Sequence, residues 1–320
     1  MSTSVGRKIR FGLVANFPDS LKAWQELARK TEDLGYDVLH VIDHLGRHWS
    51  PLLALLSAAD ATTSLRIGTQ VLANDFRYPV MLAKEVATLD LLTGGRFECG
   101  IGVGHPPTSP TGQSDYGQLG REIDDAGPRV SRLAETLRLM KRFMASDEPF
   151  DFDGKFHQVR AVVPFPKPIQ QPRPPIMVGG AGPRMLRLAA SEGDIVNIAP
   201  RAPIVGIAAS GAPSFGLDID AELALIREAA GARYDEIEIS VSSLQVQITD
   251  NPEPAMQRLQ EHMHIGREAL LKMPHTLIGD AGAVEERILE HRDRFDISYR
   301  IIPGDRIDEF APIVGRLAGT

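Results

Sequence analysis

Two histidines and one run of glycines carry most of the chemical potential of this 320-residue chain. Asp43-His44 directly follows an apolar run, 37–42 (DVLHVI), that reads as a parallel strand covered on both faces. An imidazole at the C-terminal end of such a strand can give or take a proton near neutral pH. The carboxylate beside it either assists the imidazole or only caps the next segment. His105 stands just beyond another strand, 96–103 (RFECGIGV), and would face His44 if the two strand ends share one rim. His40 alternates within its strand and reads as a core histidine.

The glycines suggest a second chemistry. In Val178-Gly179-Gly180-Ala181-Gly182-Pro183-Arg184 a strand runs into a glycine turn, and Pro183 suits the first helical position. Free backbone N–H groups and the helix dipole there make an anion site, and glycine allows close approach. This favours a phosphate-bearing ligand over a plain turn, with Arg184 and Arg187 as further cations. The net charge of −7 offers such a ligand no general attraction, so its attraction must be local. Gly100-Ile101-Gly102-Val103-Gly104 is not a dinucleotide fingerprint, because His105-Pro106-Pro107 follows where a helix should start. Its glycines either pack a strand tightly against its neighbours or, at Gly102 and Gly104, leave room for a flat ligand. Arg77 is read as a cation for an acidic ligand or as the structural partner of Asp75 or Glu85.

These residues need a scaffold, and the chain alternates strand and helix throughout. Strands are expected over 9–15, 37–42, 65–72, 96–103, 175–179, 194–198, 237–249, 276–278 and 297–302, with helices between most of them. Eight or so βα units in one chain without a compositional break predict an α/β fold of the closed (β/α)8 barrel type, over the alternative of an open doubly wound sheet. Residues 1–320 then form one barrel domain, about 70 residues longer than a bare barrel. The surplus falls in loose stretches at 104–124, 147–172 and 200–217, and the second includes a small hairpin around Asp153-Gly154. Composition narrows the partners. With 35 Lys+Arg against 42 Asp+Glu and no basic run, neither nucleic acid nor an anionic membrane is expected. One cysteine, Cys99, gives no internal disulfide and no cysteine-rich metal site. With no apolar leader and no 18-residue apolar run, the expectation is a cytoplasmic protein acting on a small molecule.

At these positions the sequence resembles the bacterial luciferase-like flavin oxidoreductases, and most of all the branch that uses the deazaflavin coenzyme F420. The resemblance is carried by Asp43-His44, by 71–79 (VLANDFRYP) with 91–104 (LLTGGRFECGIGVG), by 178–183 (VGGAGP) and by 277–288 (LIGDAGAVEERI). It implies a (β/α)8 barrel with the tricyclic ring of F420, or alternatively FMN, in its mouth. The ring's back would rest on a non-prolyl cis peptide at Gln70-Val71. Gly179, Gly180 and Gly182 would hold the phosphate, Ala73 would lie along the ribityl chain or ring, and Val103 with Gly104 would line the site. His44 would sit near the hydride-carrying carbon, with Asp43 and His105 as the other catalytic candidates. A homodimer is implied as well. Sugar-phosphate dehydrogenases of the group carry a glutamate where this chain has His105, which points to reduction of C=C, C=N or C=O rather than alcohol oxidation. An FMN-dependent two-component monooxygenase and a non-catalytic flavin-binding barrel are the alternatives.

Overall fold

The computed structural model describes residues 7–199 and 218–320. Its strands are β1 (Arg10–Ala15), β2 (Val38–Val41), β3 (Arg66–Thr69), β4 (Leu72–Ala73), β5 (Phe97–Gly102), β6 (Phe150–Asp153), β7 (Gln158–Val162), β8 (Ile176–Gly180), β9 (Ile195–Ile198), β10 (Glu238–Ser242), β11 (Gln245–Ile248), β12 (Thr276–Gly279) and β13 (Ile297–Pro303). β1 pairs in parallel with β2 and β13, and the sheet runs on through β10, β9 and β8 to β5. It closes where β5 meets both β3 (Ile67↔Phe97) and β4 (Leu72↔Ile101). The result is an eight-staved parallel barrel in which β3 and β4 form one interrupted stave. The third expected surplus segment, 200–217, lies outside the described residues.

The strand patterns explain the closure. Val38, Met177, Ile195, Tyr299 and Ile301 form a cluster of their own, with Val14 and Val71 against it. Their alternate neighbours, such as Leu39, Val178, Val196 and Ile302, join the larger core that includes helix side chains. Both faces of the strands are therefore apolar, as a barrel wrapped in helices requires. His40 is fully buried, with Nε2 2.5 Å from the Tyr299 hydroxyl. A Cβ on Gly12 or Gly68 would come within 2.9 or 2.7 Å of its ring, so those two glycines make its space. The core reading of His40 holds.

Three expectations change. The strand 65–72 is cut at Gln70-Val71, where the peptide bond is cis. The strand 237–249 is two elements: β10 stays in the barrel, while β11 leaves it to pair with β12, so 276–279 is not a stave. The stretch 104–124 is not wholly irregular, since Pro110–Gln118 is a helix with Ser109 as its N-cap. The hairpin at 153–154 is present as antiparallel β6 and β7, joined by residues 154–157.

Candidate active site

His44 follows β2 and His105 follows β5, two strands on either side of the interrupted stave. At the C-terminal rim their ring centroids lie 5.0 Å apart. His44 does not bond its sequence neighbour Asp43. Instead His44 Nδ1 lies 2.8 Å from Oδ2 of Asp115, whose Oδ1 accepts from the Leu45 N–H at 3.1 Å. His105 Nδ1 lies 3.1 Å from the Ser109 hydroxyl, and its loop is pinned by the buried Arg129, which donates to the carbonyls of Val103 and His105. Burial, reinforced by the facing His44 and Arg129, holds His105 below the ordinary imidazole range, while Asp115 pulls the other way. Neither histidine's Nε2 has a protein hydrogen-bond partner among the described residues, and neither atom is enclosed. His48 stacks edge-on to His44 at 5.5 Å. Among the described residues no group of three or more His, Cys, Asp or Glu side chains is arranged for a metal ion.

Asp43 takes a different place. Both its oxygens face Arg77, with Nη2 3.1 Å from Oδ1 and Nη1 on Oδ2, and Oδ2 also accepts the Ala73 N–H at 2.9 Å. The pairing of Arg77 with Asp75 or Glu85 is thereby replaced by one with Asp43. Asp75 is bound elsewhere: it accepts from Tyr116 Oη at 2.8 Å and from Arg132 Nη1 at 2.7 Å, and its carbonyl accepts from Arg121. This buried carboxylate ties the segment after β5 down onto the barrel mouth.

The glycines divide into two kinds. A Cβ on Gly100 would sit 1.9 Å from the Thr69 carbonyl oxygen, and one on Gly102 would sit 2.8 Å from Val71 Cγ2 and 2.9 Å from the Gly179 carbonyl. A Cβ on Gly179 would meet Val71 Cγ1 at 3.0 Å. These three positions close the barrel around Val71, so the space at Gly102 belongs to a side chain and not to a ligand. Gly104 and Gly182 are different, with φ of +75° and +93°, backbone conformations costly for any residue with a Cβ. Gly182 caps the helix Pro183–Glu192 with no side chain over its first turn, which leaves first-turn N–H groups to an external acceptor. Arg184 does not join them, because it donates to the Gly127 carbonyl at 2.9 Å and to Ser131 Oγ at 2.6 Å. Gln70, at the cis bond, donates to Asn197 Oδ1 and Ser242 Oγ, both at 3.0 Å.

The luciferase-like monooxygenase family model matches residues 8–315. The chain belongs to this family. It is 38% identical over 135 residues to 4-hydroxyprotoasukamycin monooxygenase of Streptomyces nodosus subsp. asukaensis, across 40% of this chain and 34% of that one. It is 31% identical over 177 residues to an F420-dependent glucose-6-phosphate dehydrogenase of Amycolatopsis mediterranei (strain U-32), across 53% of this chain and 50% of that one. The chain thus spans half or less of the length of these curated relatives. An F420-dependent secondary alcohol dehydrogenase in complex with an F420-acetone adduct superposes with TM-score 0.75 at 19% identity, covering 97% of this chain and 99% of that one. The coenzyme F420-dependent tetrahydromethanopterin reductase of Methanopyrus kandleri does so with TM-score 0.74 at 18% identity, covering 97% and 98%. At such identities the likeness is one of fold.

The residues of this luciferase-like chain fit a flat, phosphate-bearing cofactor on two observations. Gln70 Oε1 is enclosed and without a hydrogen-bond donor at the barrel mouth, a polar acceptor left unsatisfied where the flat group would rest. The uncapped helix start at Gly182 offers the complementary donors. Sequence reading missed Asp115, Ser109, Asn197 and Ser242. Of these only Ser109 carried a local signal, as a serine one residue before a proline at a helix start.

Proposed function

We propose that this luciferase-like chain is an F420-dependent oxidoreductase that moves a hydride between the deazaflavin and a small organic molecule, in the direction of reducing a C=C, C=N or C=O bond. The observation that carries the reading is the pair of open imidazoles, His44 and His105, on the same rim as the Gln70-Val71 cis bond. The deazaflavin, when bound, supplies the hydride. The protein's part is to hold, orient and protonate. Gln70 and the Val71 backbone would lie behind the ring, Ala73, Val103 and Gly104 would line it, and the turn Gly179, Gly180 and Gly182 would receive the phosphate. Asp43 holds Ala73 and Arg77 in place and does not itself react. His44 Nε2 delivers the proton that the acceptor needs as the hydride arrives. His105, held neutral by burial, orients the acceptor as a hydrogen-bond partner.

Relatives named for F420 dependence support this reading, and the 38%-identical monooxygenase supports the FMN-dependent monooxygenase alternative only in its reaction class. Titration of the purified protein with F420 and with FMN separates them. Saturable F420 binding is expected, and tight binding of FMN alone would sink the reading. Gly182→Ala is expected to weaken F420 binding at least ~10-fold, because a Cβ at that φ costs roughly 1–2 kcal/mol and displaces the N–H groups. Equal affinity for variant and parent, by fluorescence titration, would place the phosphate elsewhere. His105→Gln is expected to slow turnover while F420 still binds, and unchanged turnover would remove His105 from the mechanism.

The assembly is read as a homodimer. Leu53, Tyr78 and Met81 lie on or next to the neighbouring helices Pro51–Asp60 and Pro79–Leu92, and are 70%, 82% and 56% exposed. Such large apolar side chains gain most by being covered. Sedimentation of the parent should give twice the chain mass and Met81→Glu should shift it toward one, whereas a monomeric parent would overturn the reading.

A further inference from the structure

Asp115 is a buried carboxylate for which hydride transfer as described above has no task. It lies on the helix Pro110–Gln118, whose sequence PTGQSDYGQ contains two glycines and has little intrinsic helicity. Contacts hold that helix in place. Ser109 caps it, and Tyr116 binds Asp75 at 2.8 Å. Both Asp115 oxygens face the segment that carries His44: Oδ1 takes the Leu45 N–H at 3.1 Å, and Oδ2 lies 2.8 Å from His44 Nδ1.

An ionised carboxylate only accepts, so the hydrogen between Asp115 and His44 belongs to Nδ1. Neutral His44 then has its lone pair at Nε2, and any second proton it takes sits there. His105 is held differently. Its Nδ1 lies 3.1 Å from the Ser109 hydroxyl, which also accepts the Gly112 N–H at 3.3 Å, and a hydroxyl can meet either tautomer of the ring. Of two imidazoles 5.0 Å apart, only His44 stands against a carboxylate that fixes its tautomer.

We infer that Asp115 is a positioning residue that makes His44, and not His105, the ring that loads and delivers the proton. This rests on the reading of the rim as a hydride-transfer centre. In the reduction, the acceptor's π bond breaks and the hydride from reduced deazaflavin forms the new C–H bond. The proton on His44 Nε2 goes to the other atom of that bond. The cofactor ends two electrons poorer, and His44 ends neutral and is recharged from solvent. The charged and titratable groups around the pair are few. Asp115 faces it from the helix Pro110–Gln118, Arg129 faces His105, and His48 and Asp43 lie on the His44 segment, with Asp43 neutralised by Arg77. Burial, then His105's cationic neighbours, hold that ring neutral, in keeping with the assignment.

Histidine ring ¹⁵N spectra of the cofactor-free protein test this directly. In the parent, neutral His44 is expected as the Nδ1–H tautomer. In Asp115→Asn the carboxamide NH₂ donates to His44 Nδ1, so His44 should switch to Nε2–H. In F420-loaded enzyme the same variant should slow hydride transfer ~10²-fold, with F420 affinity retained. An Nε2–H tautomer at His44 in the parent would overturn the proposal, and that measurement needs no variant to fold. Asp115→Asn that keeps the Nδ1–H tautomer at His44 would overturn it too. The expected tautomers in a protein that oxidises no reduced deazaflavin would uphold the role of Asp115 and remove the hydride-transfer reading instead.

Discussion

Replacing His44 by asparagine is expected to lower the rate of hydride transfer by about 10²–10³-fold, the usual range for loss of a positioned general acid, while F420 titrates as in the parent. The separation follows from where the ring is tied. His44 Nδ1 faces Asp115, and neither of its nitrogens touches Gln70, Ala73 or the turn at Gly182. Asp115 retains the Leu45 N–H when the imidazole is gone, so the loop between β2 and its helix keeps an anchor. His105 cannot substitute. Burial holds it below the ordinary imidazole range, so it takes up a second proton less readily than an ordinary imidazole and gains one as the solution is acidified. The variant's residual rate should therefore rise toward acid as His105 protonates. Stopped-flow oxidation of the reduced cofactor across pH reads both effects, and a variant within threefold of the parent at neutral pH would remove His44 as the donor.

The same rim shows what a sequence can and cannot disclose. The apolar runs 37–42 and 96–103 announce buried parallel strands, because a stave covered on both faces has no polar alternation to display. From them the places of His44 and His105 at strand ends follow. The partner of His44 does not. Asp115 lies 71 positions further on, in a helix that its own glycines argue against and that capping by Ser109 and burial of Tyr116 hold in place. Helical periodicity is silent there because tertiary contacts outweigh propensity. Adjacency alone leaves Asp43 either assisting His44 or capping the next segment. However, the Asp43 carboxylate finds an arginine and a backbone N–H on the next stave, which no spacing rule announces. Gly102 was ambiguous for a related reason. A glycine beside a ligand and a glycine beside Val71 read identically until the cis bond at Gln70-Val71 and the closure of the barrel place Val71 against it.

At the opposite end of the barrel, Glu98→Leu is expected to destabilise the fold by about 3 kcal/mol at neutral pH, the low end for breaking a buried ion pair. Glu98 is 1% exposed on β5, and its Oε1 accepts from Arg66 Nε at 2.6 Å and from Arg10 Nη2. Arg10 also reaches Glu238 at 2.8 Å. The low end applies because the side chains of Arg10 and Arg66 are 24% and 28% exposed, so each meets some water when Glu98 is lost. The pH dependence has a definite sign. Burial pushes Glu98 up, but Arg10 and Arg66 outweigh it and hold the carboxyl below its ordinary value of 4.5. Its contribution is therefore present above that value and lost as pH falls through the lower folded value. Glu238 runs the other way, since burial raises it: its stabilisation is present below 4.5 and lost as pH rises through the higher folded value. Urea unfolding at neutral pH and near pH 3 should show the gap between parent and Glu98→Leu narrowing in acid. Parent-like stability at neutral pH would show that the buried charges are dispensable. Because catalysis in such barrels resides at the other rim, turnover well below the unfolding transition should match the parent. The two ends of β5 would then be shown to answer to different constraints, Glu98 to the closure of the barrel and the loop bearing His105 to its chemistry.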